Sequence, residues 1–155
     1  MHRFSVPGRL IAAIILAGFL SACQTLGQPG LIQSTVTAEL SPEAANSIAG
    51  DMVGRLAEQA GPGSTTIRFT PDGSPFGQAL EVTLKSWGYA VITDQKTDEA
   101  NILALAYTVD EFEGAVLVRL STLRFDLTRM YKPGAEGATP VSPLSILRHG
   151  SAGAA

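Results

Sequence analysis

One cysteine, two histidines and no glycine-rich phosphate motif occur in a chain of 155 residues, and each shortage removes a class of chemistry. A single thiol, Cys23, cannot close a disulfide within the chain, which takes an even number of cysteines. His2 lies in the N-terminal run described below, which leaves His149 near the other end. Hydrolase-type catalysis needs a histidine beside a serine or cysteine, and His149 sits on a stretch with no visible means of fixing it. A zinc centre takes three or four His, Cys or carboxylate ligands, a supply this chain lacks. No catalytic residue and no metal site are therefore expected. Neither GxGxxG nor a P-loop occurs, so no nucleotide cofactor is expected, and Gly61-Pro62-Gly63 reads as helix punctuation. Basic charge is also scarce, with eleven Lys and Arg against fourteen Asp and Glu. That balance argues against direct binding of nucleic acid, whose phosphates call for a basic patch, and against polybasic attachment to lipid.

The one long apolar run stands at the start. Arg3 and Arg9 precede an eleven-residue segment from Leu10 to Leu20, followed by Ser21, Ala22 and Cys23. A basic start, a short apolar stretch and small residues at its end have the form of a secretory signal peptide. As a helix the segment reaches about 16 Å, roughly half of a ~30 Å hydrocarbon core, so it reads as a leader to be removed rather than a span. An ordinary signal peptide ahead of an incidental cysteine, or an uncleaved anchor, are the competing readings. The tetrad Leu20-Ser21-Ala22-Cys23 resembles a bacterial lipobox. That resemblance implies cleavage between Ala22 and Cys23 and a diacylglycerol on the Cys23 thiol. The lone cysteine then stands where lipid attachment requires it. Two or three acyl chains hold a protein stably to a bilayer at ~0.8 kcal/mol per buried methylene. Gln24, rather than Asp, after the cysteine favours the outer membrane. Losing Arg3 and Arg9 with the leader would leave nine basic against fourteen acidic residues, a formal charge of −5.

The expected organisation is a leader over 1–22, a lipidated cysteine and linker over 23–37, one periplasmic domain over 38–148 and a flexible tail over 149–155. Gly27, Pro29 and Gly30 give the linker its character. Ser41-Pro42 opens a helix as N-cap and first residue, with Glu43 in the first turn. Ala45, Ile48, Ala49, Met52, Val53, Leu56 and Ala60 then form one apolar stripe at three-four spacing. Thr65–Thr70 reads as a strand. Ser74-Pro75 repeats the capping arrangement, with Phe76, Ala79, Leu80, Leu84 and Trp87 on one face and Gly88 as the closing glycine. Tyr89–Thr93 completes a strand–helix–strand unit.

Beyond Asn101 only strands are indicated. Ile102–Val109 is one, Asp110 to Gly114 a polar turn, and Ala115–Ser121 alternates with Val116, Val118 and Leu120 on one face. Leu123, Phe125 and Leu127 continue the alternation on odd numbers, which takes either a bulge or a tight hairpin at Ser121-Thr122. Lys132–Thr139 reads as a loop and Val141–Arg148 as an edge strand interrupted by Pro143. The expected fold is α+β: two helices on one face of a mostly antiparallel sheet of about four to six strands.

Two carboxylate groups, Asp110-Glu111-Glu113 and Asp94-Asp98-Glu99, read as solvated loops rather than calcium or acid–base sites. Trp87 reads as closing the core in preference to offering a platform for a sugar or peptide. Arg119, Arg124, Arg129 and Lys132, interleaved with Asp126, suggest an exposed strand face able to meet a partner. No small-molecule substrate is indicated, and the chain reads as a binding protein rather than an enzyme.

With these elements placed, the chain resembles the TrbH family of conjugal transfer lipoproteins. The likeness rests on four stretches: the lipobox, Leu40-Ser41-Pro42 before an alanine-rich helix, Phe76-Gly77-Gln78-Ala79-Leu80 leading to Trp87-Gly88-Tyr89, and Ser142-Pro143-Leu144-Ser145. It covers nearly the whole chain. It implies a small outer-membrane lipoprotein at the periplasmic face, held to the membrane by lipid. The implied partners are other subunits of a type IV secretion apparatus, with Cys23 the one residue given a family role. The alternative is a periplasmic adaptor lipoprotein that binds a peptidoglycan synthase or another envelope enzyme.

Overall fold

The structure, a computed structural model, describes residues 33–93 and 101–150. The leader, Ala22, Cys23, most of the linker, the Asp94-Asp98-Glu99 group and residues 151–155 lie outside the described residues. In chain order the elements are β1 Thr35–Val36, α1 Pro42–Gln59, β2 Thr66–Arg68, α2 Pro75–Ser86, β3 Ala90–Ile92, β4 Ile102–Phe112, β5 Ala115–Thr122, β6 Phe125–Gly134, β7 Gly137–Pro140 and β8 Ser145–Arg148. A short 3₁₀ turn, Pro62–Ser64, lies between α1 and β2.

Both helices start as their sequences predict. The Ser41 hydroxyl accepts from Ala44 N–H and the Ser74 hydroxyl from Gly77 N–H, each ahead of a proline whose missing donor the helix does not need. Helix α2 ends in a left-handed glycine, Gly88 at φ 89°. Gly88 N–H donates to Lys85 C=O and Tyr89 N–H to Leu84 C=O, the paired closure of a Schellman motif. The α1 stripe is buried as expected, with Ile48, Met52, Val53 and Leu56 inaccessible to solvent. Side chains of this kind contribute about 1.5–3 kcal/mol each on burial.

The sheet is mixed, ordered β3-β2-β4-β5-β6-β7, with β1 beside β4 beyond the end of β2 and β8 beside β6 beyond the end of β7. Among the described residues it has eight strands, more than the four to six expected. The additions are short pieces that only tertiary pairing makes. β1 falls in the stretch read as linker and runs parallel to β4, Thr35 opposite Thr108. β7 falls in the stretch read as a loop, where Lys132–Thr139 instead closes a hairpin with Gly134 opposite Gly137. The β1, β2 and β3 pairings are parallel and the four pairings from β4 to β8 antiparallel.

The turn after β4 is shorter than the polar run Asp110–Gly114 suggests. β4 continues to Phe112, and Glu113 and Gly114 alone make the turn with φ of 50° and 73°, the two-residue form that suits strand twist. The parity change near Ser121-Thr122 is a hairpin and not a bulge, turning at Leu123 and Arg124. The Thr122 hydroxyl accepts from Arg124 and Phe125 N–H and donates to Phe125 C=O, so the turn is closed by a side chain.

Helices α1 and α2 cover one sheet face, onto which Leu103, Leu105, Tyr107, Val118, Leu120 and Leu127 point. Thr108, Leu117, Arg119, Thr128 and Met130 line the other face, which no helix covers among the described residues. Trp87 is not in the core. It is 47% exposed at the C-cap of α2, with its ring lying across Gly54 of α1.

A polar knot fixes the start of α2 to β4. Tyr107 donates its hydroxyl to Asp72 Oδ1 at 2.8 Å, and the Ser74 hydroxyl donates to the same oxygen at 2.6 Å. Asp72 N–H donates back to the Tyr107 oxygen at 3.1 Å. Burial raises the Asp72 pKa, but bonds from the Ser74 and Tyr107 hydroxyls outweigh it and hold the carboxyl below the usual range. Burial first, and then the Asp72 carboxylate, push the Tyr107 phenol well up. A methyl group at Gly77 would run into the Tyr107 oxygen and Asp72 Oδ1.

Gly77→Ala should therefore lower stability by about 1–3 kcal/mol through overpacking, against the gain of up to about 1 kcal/mol that helix propensity alone gives; urea unfolding gives the sign. Asp72 has a depressed folded pKa, so its contribution is complete above the ordinary Asp range and is lost as pH falls through the lower folded value. Asp72→Asn should cost stability at pH 7 and converge with the parent protein near pH 2 when both are titrated with urea.

Candidate functional site

The residues singled out for lipid attachment and cleavage, Cys23 and Ala22, lie outside the described residues, and the structure begins where the expected linker joins the fold. That junction is built from hydrogen bonds to β4. The Ser34 hydroxyl accepts from Tyr107 N–H at 3.3 Å, and Thr37 and Ala38 N–H donate to Val109 C=O at 2.9 and 3.2 Å. The Thr37 hydroxyl donates to Asp110 Oδ1 at 2.9 Å. Asp110, read from the sequence as part of a solvated tip, thus secures the incoming chain, while Glu111 and Glu113 stay exposed.

The basic residues expected on one exposed strand face are divided between the two faces. Arg119 and Lys132 lie on the open face, and Arg124 is in the β5–β6 turn. Arg129 points the other way, toward α1, because β6 presents its odd positions to the helices. There Arg129 Nη1 donates to Asp51 Oδ2 at 2.9 Å and Nε to Ser142 C=O at 3.1 Å. The Tyr131 hydroxyl donates to the same Asp51 oxygen at 2.6 Å, and Arg55 lies 3.7 Å from Oδ1. Burial, and then the bond to Asp51, push the Tyr131 phenol far above its usual range, so it keeps the proton it donates. Asp51 joins α1 to β6 at one part-buried point. The sequence carried a signal for it, an Asp near the apolar stripe of α1, which periodicity alone does not pair with β6.

His149 is held, contrary to its expected place on a free tail. Its N–H donates to Arg124 C=O at 2.9 Å and Nε2 lies 3.1 Å from Asp126 Oδ1. No serine or cysteine bonds the ring among the described residues; its one ring contact is Asp126. No three His, Cys, Asp or Glu gather closely enough for a metal ion among the described residues. Recesses occur among the described residues. One of about 380 Å³ lies between Ser47 and the β6–β7 turn, and another of about 310 Å³ lies between Ser64, Asn101 and Arg124. Among the described residues no helix is long and apolar enough to cross a membrane. What the described surface offers is an open sheet face, sheet edges and a tied-down entry strand.

The family model for conjugal transfer protein TrbH matches residues 26–150. A protein of Sinorhizobium fredii (strain NBRC 101917 / NGR234) named probable conjugal transfer protein TrbH is 43% identical over 145 residues, covering 90% of this chain and 97% of the relative. No solved structure matches the chain.

Asp51→Ala should leave the Tyr131 hydroxyl and the Arg129 guanidinium without their acceptor and cost about 2 kcal/mol. Tyr131→Phe should cost about half as much, since Asp51 keeps Arg129. Chemical denaturation of the two variants against the parent gives both values.

Proposed function

The chain belongs to the TrbH family of conjugal transfer proteins, and from that premise we propose that it is a lipid-tethered docking subunit of a conjugative type IV secretion apparatus. In this reading Cys23 is acylated after cleavage at Ala22, and the domain stands at the periplasmic face of the outer membrane. The observation that supports it is the tetrad Leu20-Ser21-Ala22-Cys23 at the end of a short apolar run in a member of this family. The thirteen residues from Cys23 to Thr35, twelve steps apart end to end, span at most about 43 Å when extended. The domain would stay within that distance of the bilayer, in reach of subunits embedded there. Tethering turns each encounter into an intramolecular one, so a weak contact suffices.

The protein acts in this reading by binding, with no reaction of its own. The sheet face that no helix covers among the described residues supports such a role, since it offers contact area. Its partners are other subunits of the transfer apparatus. DNA is handled by those partners, in keeping with the acidic balance of the chain.

Cys23→Ser should abolish incorporation of labelled fatty acid, release the protein from the outer-membrane fraction and lower mating frequency at least tenfold. A Cys23→Ser protein that still sediments with outer membranes and supports full transfer would end the lipid reading. Deleting the domain while keeping residues 1–34 should abolish transfer; unchanged mating frequency would end the docking reading.

A further inference from the structure

The border of the sheet formed by β7 and β8 is protected along one half and open along the other. In an antiparallel ladder, opposed residues alternate between those that exchange hydrogen bonds and those that turn N–H and C=O away. In β7, Val141 N–H donates to Met130 C=O, which sets the phase so that Ala138 and Pro140 face outward. Pro140 has no hydrogen to offer there, and the Ala138 C=O is taken by the Ser47 hydroxyl at 2.9 Å. That half is closed by a proline and by helix α1, two of the usual means of blunting an edge.

β8 has neither. The bond from His149 N–H to Arg124 C=O, with Leu147 opposite Asp126, turns Ser145, Leu147 and His149 toward β6. Ile146 and Arg148 therefore present their N–H and C=O groups outward, and no hydrogen bond among the described residues uses them. All four residues of β8 are exposed, Ile146 by 40% and Leu147 by 59%. Arg148 brings a positive charge to this edge: its Nη2 bonds the neutral Gln59 amide oxygen, at 2.7 Å, and it has no carboxylate partner among the described residues. The nearby Asp126 belongs to the open face and is engaged by His149.

We propose that the outer edge of β8 receives an extended segment of another protein by strand addition, with an apolar side chain of that segment over Leu147 and an Asp or Glu against Arg148. Main-chain bonds to Ile146 and Arg148 would supply the attachment, and the side chains the selection. A second copy of this chain is the poorer occupant. Two-fold pairing centred on Leu147 sets each Arg148 opposite Ile146 of its mate and brings two guanidinium groups onto one face of a short seam, where like charges repel. An acidic strand meets the same edge with opposite charge.

This inference rests on the docking role proposed above, and its test separates the two. Ile146→Pro removes an outward N–H and leaves the bonds of Ser145 and Leu147 to β6, and Arg148→Glu reverses the charge. In cells carrying the complete transfer gene cluster, each should lower mating frequency at least tenfold, with melting temperatures of the purified proteins within a few degrees of the parent. Ile146→Val, which keeps the N–H, and Gln59→Leu, which loses the bond to Arg148 but not its charge, should transfer normally. Should Ile146→Pro fail to fold, Arg148→Glu against Gln59→Leu carries the decision. Normal transfer by Arg148→Glu, in cells where deletion of the domain abolishes transfer, would overturn the edge while leaving the docking role standing. A disulfide-linked dimer of Leu147→Cys would give the edge to a second copy and overturn it as well.

Discussion

The hairpin turns at Glu113–Gly114 and Leu123–Arg124 hold two residues each, and that length decides which side chains meet the helices. A two-residue turn pairs odd positions with even ones, so the core face passes from odd positions in β4 to even in β5 and back to odd in β6. Tyr107, Leu120 and Leu127 fall in line across the three strands, and α1 and α2 have one continuous apolar surface to cover. A slip of one residue in either pairing would put half of that surface on the solvent side. The polar anchors obey the same parity. Tyr107 reaches the start of α2, and Arg129 with Tyr131 reaches Asp51 on α1, only because these positions point to the helix side.

Much of this is legible in the amino-acid order because it is local. Two Ser-Pro pairs, the three-four stripe of α1 and Gly88 each dictate a backbone state within a turn or two, and the structure has them in place. What the order conceals is non-local. Thr35–Val36 carries no strand signal beyond two β-branched side chains and becomes a strand only beside β4. Gly134 and Gly137 read as loop until they face each other across a hairpin. Trp87 has the phase of a core residue, but the helix ends under it, which periodicity does not reveal. The four basic residues near β5 and β6 look like one patch in sequence, whereas the hairpin assigns Arg129 to the interior.

The candidate site divides in the same way. The tetrad Leu20-Ser21-Ala22-Cys23, which resembles a lipobox, is contiguous and visible at once. The edge at β8 depends on hydrogen-bond phase, on which half of a border a helix reaches, and on which arginines lack acids nearby. Membership in a conjugal transfer family gives both proposals one setting: a tether at one end and a contact edge at the other would suit a docking subunit.

The tryptophan that left the core has a use of its own. Trp87 is the sole indole of the chain, half exposed and resting its ring against Gly54 where α1 and α2 meet. Its emission colour and quenching by iodide therefore report on one seam alone, without any dye or added label. Ultraviolet excitation at the red edge of protein absorbance makes the native chain an optical gauge of whether its two helices remain side by side.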